Sequence, residues 1–282
     1  MSEASVEDRA PGVEARGLTK VFSDPRRGDV KAAWKISFAC HPGEIFGLLG
    51  PNGAGKTTVL RMLSTVLRPT SGGARVAGFD VVDQPLEVRR RIGFLSSSTG
   101  LYGKLTARET LEYFGRLYGM TDQALRSRVD ELVELFGIGD FAATRCEKLS
   151  TGMKQKVSIA RAIVHDPPVL ILDEPTLGLD ILVASTMLRF IEECRAAGKC
   201  VIFSTHIMSE VEKLCDRIAV IHEGLLRAVG SLDELREATG ARYLEDVFRR
   251  LIGEGGGEGD GEGEGEGDGD AALEDHKERS TT

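Results

Sequence analysis

Eight residues, Gly50-Pro51-Asn52-Gly53-Ala54-Gly55-Lys56-Thr57, constrain the fold of this chain more than any other stretch. They fit the spacing G-x-x-x-x-G-K-[ST] and separate two different local patterns. Before them, Glu44-Ile-Phe-Gly-Leu-Leu49 follows the His41-Pro-Gly43 turn as a short apolar run that suits a buried parallel strand. Behind them, Thr58-Val-Leu-Arg-Met-Leu63 opens a helix. Glycines at 50, 53 and 55 let the backbone fold tightly, so that successive N–H groups and the positive end of the helix dipole converge on one anion. Lys56 is then placed for the β- and γ-phosphates of a nucleotide, and the Thr57 hydroxyl for Mg²⁺.

A second element, Val169-Leu-Ile-Leu-Asp173-Glu174-Pro175, is four apolar residues ending in two carboxylates. Such a run is a fully buried strand, and ligands of open parallel sheets gather at the carboxyl ends of their strands. Asp173 is therefore expected to hold the metal. Glu174, one residue on, is expected to polarise the attacking water. Alone, an Asp-Glu pair after a strand is as well explained by a solvated turn. The upstream loop tips the reading towards a P-loop NTPase core, an α/β fold with a parallel sheet.

Those two motifs suit any P-loop NTPase. The segment Leu149-Ser150-Thr151-Gly152-Met153-Lys154-Gln155 is more selective. Ser150 precedes Met153, Val157, Ala160 and Val164, apolar at spacings of four, three and four, and Asp166-Pro-Pro168 stops the run. This is a helix capped by a serine. With Gly152 permitting close backbone approach, its N-terminus forms a second anion site, one more than a single nucleotide needs from one chain.

On these residues the chain resembles the ATP-binding subunits of ABC transporters, with LSTGMKQ matching the family signature. Ser150 and Gly152 carry the match. The resemblance implies that they touch the γ-phosphate of an ATP held by the opposite subunit, in a head-to-tail homodimer enclosing two ATP molecules. It further implies nucleotide contacts from the whole loop, Gly50, Pro51, Asn52, Gly53, Ala54, Gly55, Lys56, Thr57 and the adjoining Thr58, and from Gln155. Phe22, in Leu18-Thr-Lys-Val-Phe22, matches the aromatic that stacks on adenine. Leu179-Asp180 matches the loop crossing the dimer interface, and His206, after Cys200-Val-Ile-Phe-Ser204, matches the histidine that senses γ-phosphate. One landmark departs from the pattern. After Arg91-Ile-Gly-Phe-Leu95, where the family has a glutamine, this chain has Ser97, too short to reach both metal and membrane partner. With LSTGMKQKV and the segment Thr99-Gly-Leu-Tyr102, this departure resembles the subgroup of bacterial sodium-efflux ATP-binding proteins.

Composition agrees with a motor subunit that works on a separate integral-membrane permease. At 282 residues and 41% hydrophobic content, one substantial α/β core plus a helical insert can be buried. No stretch approaches about 18 uninterrupted apolar residues, and Met1 to Asp8 lacks signal-peptide character. The expected location is peripheral, on the cytoplasmic face of the inner or plasma membrane. The five cysteines, at 40, 146, 194, 200 and 215, show no C-x-x-C spacing, which suits reduced thiols.

Along the chain, residues 13–252 are expected to form the ATPase domain, with an N-terminal antiparallel β part and a helical subdomain inserted at about 96–165. In that insert Thr106 and Glu109 form a capping box ahead of Leu111, Phe114 and Leu117, and Thr121 starts a second helix with Leu125, Val129, Leu132 and Phe136. After Arg217-Ile-Ala-Val-Ile221 come a His222-Glu-Gly224 turn, a returning strand and a Ser231/Glu234 capping box. Tyr243-Leu-Glu-Asp-Val-Phe248 resembles a segment of ATPases that serve ABC-2-type exporters. Residues 253–270 contain only glycine, aspartate and glutamate, a composition expected to stay disordered. Residues 253–282 hold eleven acids and two Lys/Arg, so they carry −9 of a total of −8, leaving +1 on residues 1–252.

The implied activity is ATP hydrolysis powering export, with sodium, a drug-like molecule, a lipid or a polysaccharide as open cargo classes. A non-transport ABC ATPase acting on ribosomes or DNA shares the motifs, yet usually shows a coiled-coil insertion, zinc-type cysteines or tandem halves. None is present, so no nucleic-acid partner is expected. A P-loop kinase has no use for the signature segment.

Overall fold

The computed structural model describes residues 10–24, 28–96 and 100–253. In chain order, β1 (Val13–Asp24), β2 (Gly28–Cys40), β3 (Ile45–Leu49), α1 (Lys56–Leu63), β4 (Ser71–Val76), β5 (Phe79–Asp80), α2 (Pro85–Arg91) and β6 (Ile92–Leu95) come first. Helices α3 (Ala107–Leu117), α4 (Asp122–Leu135) and α5 (Thr151–Ala162) follow. The chain then alternates through β7 (Val169–Asp173), α6 (Ile181–Ala196), β8 (Cys200–Thr205), α7 (Met208–Leu214), β9 (Arg217–His222), β10 (Leu225–Gly230), α8 (Leu232–Thr239) and α9 (Leu244–Ile252).

Every residue of β3, β7 and β8 is buried, because these runs are apolar on both faces and must be covered on both. They lie side by side and parallel, β3 between β8 and β9, and β7 between β8 and β6. Alternate residues serve opposite layers. Leu170 and Leu172 pack with residues of α3 to α6, among them Leu111, Val129, Val157 and Ile191, while Val169 and Ile171 pack with Val59 and Leu63 of α1. Each such side chain contributes roughly 1.5–3 kcal/mol over exposure, so this sheet and its two covers hold the Gly50–Thr57 loop in place.

The antiparallel part expected at the N-terminus is present. β1 pairs with β2 and β4, and β4 with β5. Among the described residues it joins the central sheet through one β-bridge, where Trp34 N–H donates to Gly224 O at 2.7 Å. Gly224 stands at the tip of the β9–β10 hairpin, where Glu223 (φ 51°) and Gly224 (φ 74°) adopt the successive left-handed conformations of a two-residue turn. Its N–H also donates to Ala54 O at 2.9 Å, so the hairpin tip buttresses the phosphate loop.

Helices α3, α4 and α5 form an insertion between the adjacent parallel strands β6 and β7. Both capping boxes are formed. Glu109 N–H donates to Thr106 Oγ1 (3.1 Å) and Thr106 N–H to Glu109 Oε2 (2.8 Å), and the Ser231/Glu234 pair repeats the pattern at 3.2 and 2.7 Å. Thr121 starts α4 as expected, without a side-chain cap bond. Two local expectations are corrected. α5 ends at Ala162, so the buried Val164 lies past it, because the chain turns through a left-handed Asp166 (φ 53°) before the two prolines. Leu117, placed on the apolar face of α3, is 64% exposed, since Leu111 and Thr110 already fill the inner face.

Candidate functional site

The phosphate loop runs from the end of β3 into α1, and its glycines answer two different needs. Gly50 and Gly55 have backbone against them: a Cβ would collide with Ile221 O at the first and Ala32 O at the second. Gly53 has open space around it but a φ of 82° that favours glycine. Pro51 to Thr58 line a cleft together with Ala32 and Glu174.

Lys56 is only 4% exposed, yet its ammonium donates to Gly50 O (2.6 Å) and Pro51 O (3.1 Å) and stands 3.5 Å from Glu174 Oε1. Burial lowers its pKa, opposed by the charges of Glu174 and Asp173. A polyphosphate fits this donor set, which places a buried cation and the first turn of a helix on the same loop.

At the carboxyl end of β7, Asp173 is buried, and its Oδ1 accepts from Thr57 Oγ1 (3.0 Å) and Ser204 Oγ (2.8 Å). The Thr57 hydroxyl and the Asp173 carboxylate thus offer two hard oxygen donors at one point, a set that fits Mg²⁺. Glu174 has φ 47°, a left-handed conformation costing a non-glycine residue roughly 1–2 kcal/mol. Its N–H is held by Ser204, at 3.1 Å to Oγ and 3.2 Å to the carbonyl oxygen. The resulting geometry brings Glu174 Oε1 to 3.3 Å from His206 Nδ1 as well as towards Lys56.

Lys56, Thr57, Asp173, Glu174 and His206 therefore converge, from three neighbouring strand ends. Ser150 and Gly152 do not line this cleft. Ser150 caps α5, its Oγ accepting from Met153 N–H at 3.3 Å, and is exposed, as is Thr151. Gln155 Nε2 donates to Pro175 O at 3.1 Å, tying the signature helix to the segment behind Glu174. Asp180 is exposed and caps α6, its Oδ1 accepting from Leu182 and Val183 N–H, both at 3.0 Å. Phe22 is 43% exposed on β1, not buried as an ordinary core aromatic would be, and does not line the cleft, although Ala32 of the paired strand does. Ser97 and the acidic run from 254 lie outside the described residues.

Sequence reasoning passed over Ser204, the residue that joins Asp173 to Glu174. The available signal was a serine and a threonine closing an otherwise apolar strand beside the acidic one.

A parallel sheet with this loop and these strand-end carboxylates defines a P-loop NTPase. The signature helix narrows the class, and comparison with known proteins agrees: the ABC transporter family profile matches residues 34–177. The chain is 44% identical over 235 residues to the ABC transporter ATP-binding protein NatA of Bacillus subtilis (strain 168), spanning 83% of this chain and 95% of that one. It is 38% identical over 232 residues to the daunorubicin resistance ATP-binding protein DrrA3 of Streptomyces coeruleorubidus, spanning 82% and 73%. Among solved structures, an ATP-binding cassette dimer in a post-hydrolysis state with ADP and Pi superposes with a TM-score of 0.72 at 26% identity, over 78% of this chain and 98% of that one. The protein belongs to the ABC transporter ATP-binding family, and it binds ATP and hydrolyses it to ADP and phosphate.

Proposed function

We propose that two copies of this chain close head to tail over two ATP molecules and so drive export through a separate membrane permease. The observation that carries this reading is that the capped N-terminus of α5, an anion-binding end by its physics, is exposed and stands outside its own chain's cleft. A second copy supplies what one chain leaves incomplete. Ile181 and Leu182, 83% and 80% exposed just beyond Asp180, support the same face as the contact between copies.

In this reading the loop amides from Gly50 to Thr58 and the Lys56 ammonium hold the phosphates of one ATP, with Phe22 against its adenine. Ser150, Gly152 and Gln155 of the other copy complete the site, and Asp180 orders the crossing segment. Glu174 takes a proton from the attacking water while His206, hydrogen-bonded to it, aligns the γ-phosphate. Thr57 and Asp173 would hold Mg²⁺, whose charge offsets that of the β- and γ-phosphates.

The ATPase unit we assign to residues 13–252 and the permease-facing helical part to about 96–165. Among the described residues no helix is long and apolar enough to cross a membrane. Peripheral attachment at the cytoplasmic face belongs to the same reading, and the match to ATP-binding subunits supports it. Export is supported by the drug-resistance name of the Streptomyces relative, with Na⁺ or a drug- or lipid-like molecule as cargo.

The test is the oligomeric state of Glu174→Gln protein by light scattering, with and without ATP and Mg²⁺. A monomer that becomes a dimer only with nucleotide is expected, and Ser150→Arg added to it should remain monomeric while still binding ATP. A Ser150→Arg protein that dimerised and hydrolysed normally would sink the shared-site reading.

A further inference from the structure

Glu210, on α7, is a carboxylate only 7% exposed that no step above uses. Its Oε1 accepts from Thr176 Oγ1 and its Oε2 from Thr205 Oγ1, each at a short 2.6 Å. Both threonines are buried, and among the described residues Glu210 forms no ion pair. A buried carboxyl group with each oxygen taken by a different hydroxyl ties together the segments that carry them, so what those hydroxyls do is informative.

Thr176 lies two residues beyond Glu174, and Thr205 immediately precedes His206. Thr205 Oγ1 donates to Glu210 Oε2, and its free lone pair accepts from Ile207 N–H at 3.0 Å. The backbone is thereby gripped on both sides of His206. The segment after β7 is gripped in the same way: Ser204 holds Glu174 N–H, Gln155 holds Pro175 O, and Glu210 holds Thr176. A left-handed glutamate persists only where its surroundings over-determine it.

We propose that Glu210 is a positioning residue which, by bridging Thr176 and Thr205, sets the register between Glu174 and His206. The inference rests on the reading of those two residues as the hydrolytic pair. It deepens that reading by naming what keeps the pair at 3.3 Å.

The test measures steady-state turnover and the Kd of a fluorescent ATP analogue for the full chain and for Glu210→Ala, Glu210→Gln and Thr176→Val, with Glu174→Gln as control. Misplacing a reacting group by about an ångström can cost about 10² in rate, so Glu210→Ala should lose about ten- to a hundredfold in kcat with Kd changed by less than about threefold. Glu210→Gln, which can accept from one threonine and donate to the other, should recover most of that loss. Thr176→Val should lose rate alone yet add little to Glu210→Ala, because the bridge is already broken. Turnover of Glu210→Ala within about twofold of the parent, a Kd that rises in step with the lost rate, or no rescue by glutamine would each overturn the bridge. Should Glu210→Ala fail to fold, Glu210→Gln and Thr176→Val decide by the same split between kcat and Kd. Normal turnover by Glu174→Gln would remove the hydrolytic assignment and overturn both readings. An inactive Glu174→Gln beside an unimpaired Glu210→Ala overturns the bridge alone.

Discussion

His165 shows how far a single residue can depend on what folds around it. Its ring stacks on Tyr118 with centroids 3.5 Å apart, and its Nε2 lies 3.1 Å from Ile92 O. Burial lowers its pKa from 6.5 to about 4, helped by Lys199 and Arg128 and opposed by the Ile92 carbonyl and Asp166. The folded ring stays neutral where the unfolded one takes up a proton. Above pH 6.5 nothing is lost, and stability falls as pH drops from there to about 4. One unit corresponds to about 1.4 kcal/mol, so the loss is at most about 3.5 kcal/mol. In His165→Gln the urea midpoint should therefore fall less steeply with pH across that window than in the parent, and identical slopes would refute the assignment. No spacing in the sequence marks this residue, because its chemistry comes from Tyr118 and Ile92, both distant in the chain. Lys56 and Thr57 were legible because one local motif contains both their chemistry and their geometry. Ser204 and Glu210 act across strands, and local pattern carries no record of them.

Among the elements, those with a local physical cause were legible, whereas the end of α5 and the exposure of Leu117, set by their neighbours, were not. Two threonines sharpen the contrast. Thr106 forms a complete capping box on α3, while Thr121 stands at the same position before α4 without a side-chain bond. Losing a helix N-cap typically costs about 1 kcal/mol, so Thr106→Ala should lower the unfolding free energy by about that amount and Thr121→Ala by a few tenths at most. Equal losses in denaturant titrations would show that the Thr106 bonds contribute nothing of their own. The β9–β10 turn was legible for the same local reason, since a two-residue loop needs left-handed residues and glycine supplies one cheaply. That its tip would press on Ala54 and carry the single bridge to β2 was not, because this contact joins positions about 170 residues apart.

For the whole molecule, the proposed two-copy site predicts how rate depends on concentration. If each ATP needs loop residues from one copy and α5 from the other, turnover per chain should rise with protein concentration until the dimer is saturated. Turnover per chain that stays flat under dilution would exclude the shared site. The sequence by itself made legible the glycine-rich loop at Gly50 to Thr57, the acidic strand end at Asp173 and Glu174, the capped helix at Ser150 and the family, because each depends on residues within one local segment. Tertiary structure alone decided that Ser204 joins Asp173 to Glu174, that Glu174 is held left-handed beside His206, and that Glu210 spans the two segments behind them. Those relations arise where β7 and β8 lie parallel and in register, and that alignment is set by burial across the sheet, a sum over many contacts that no single stretch of chain encodes.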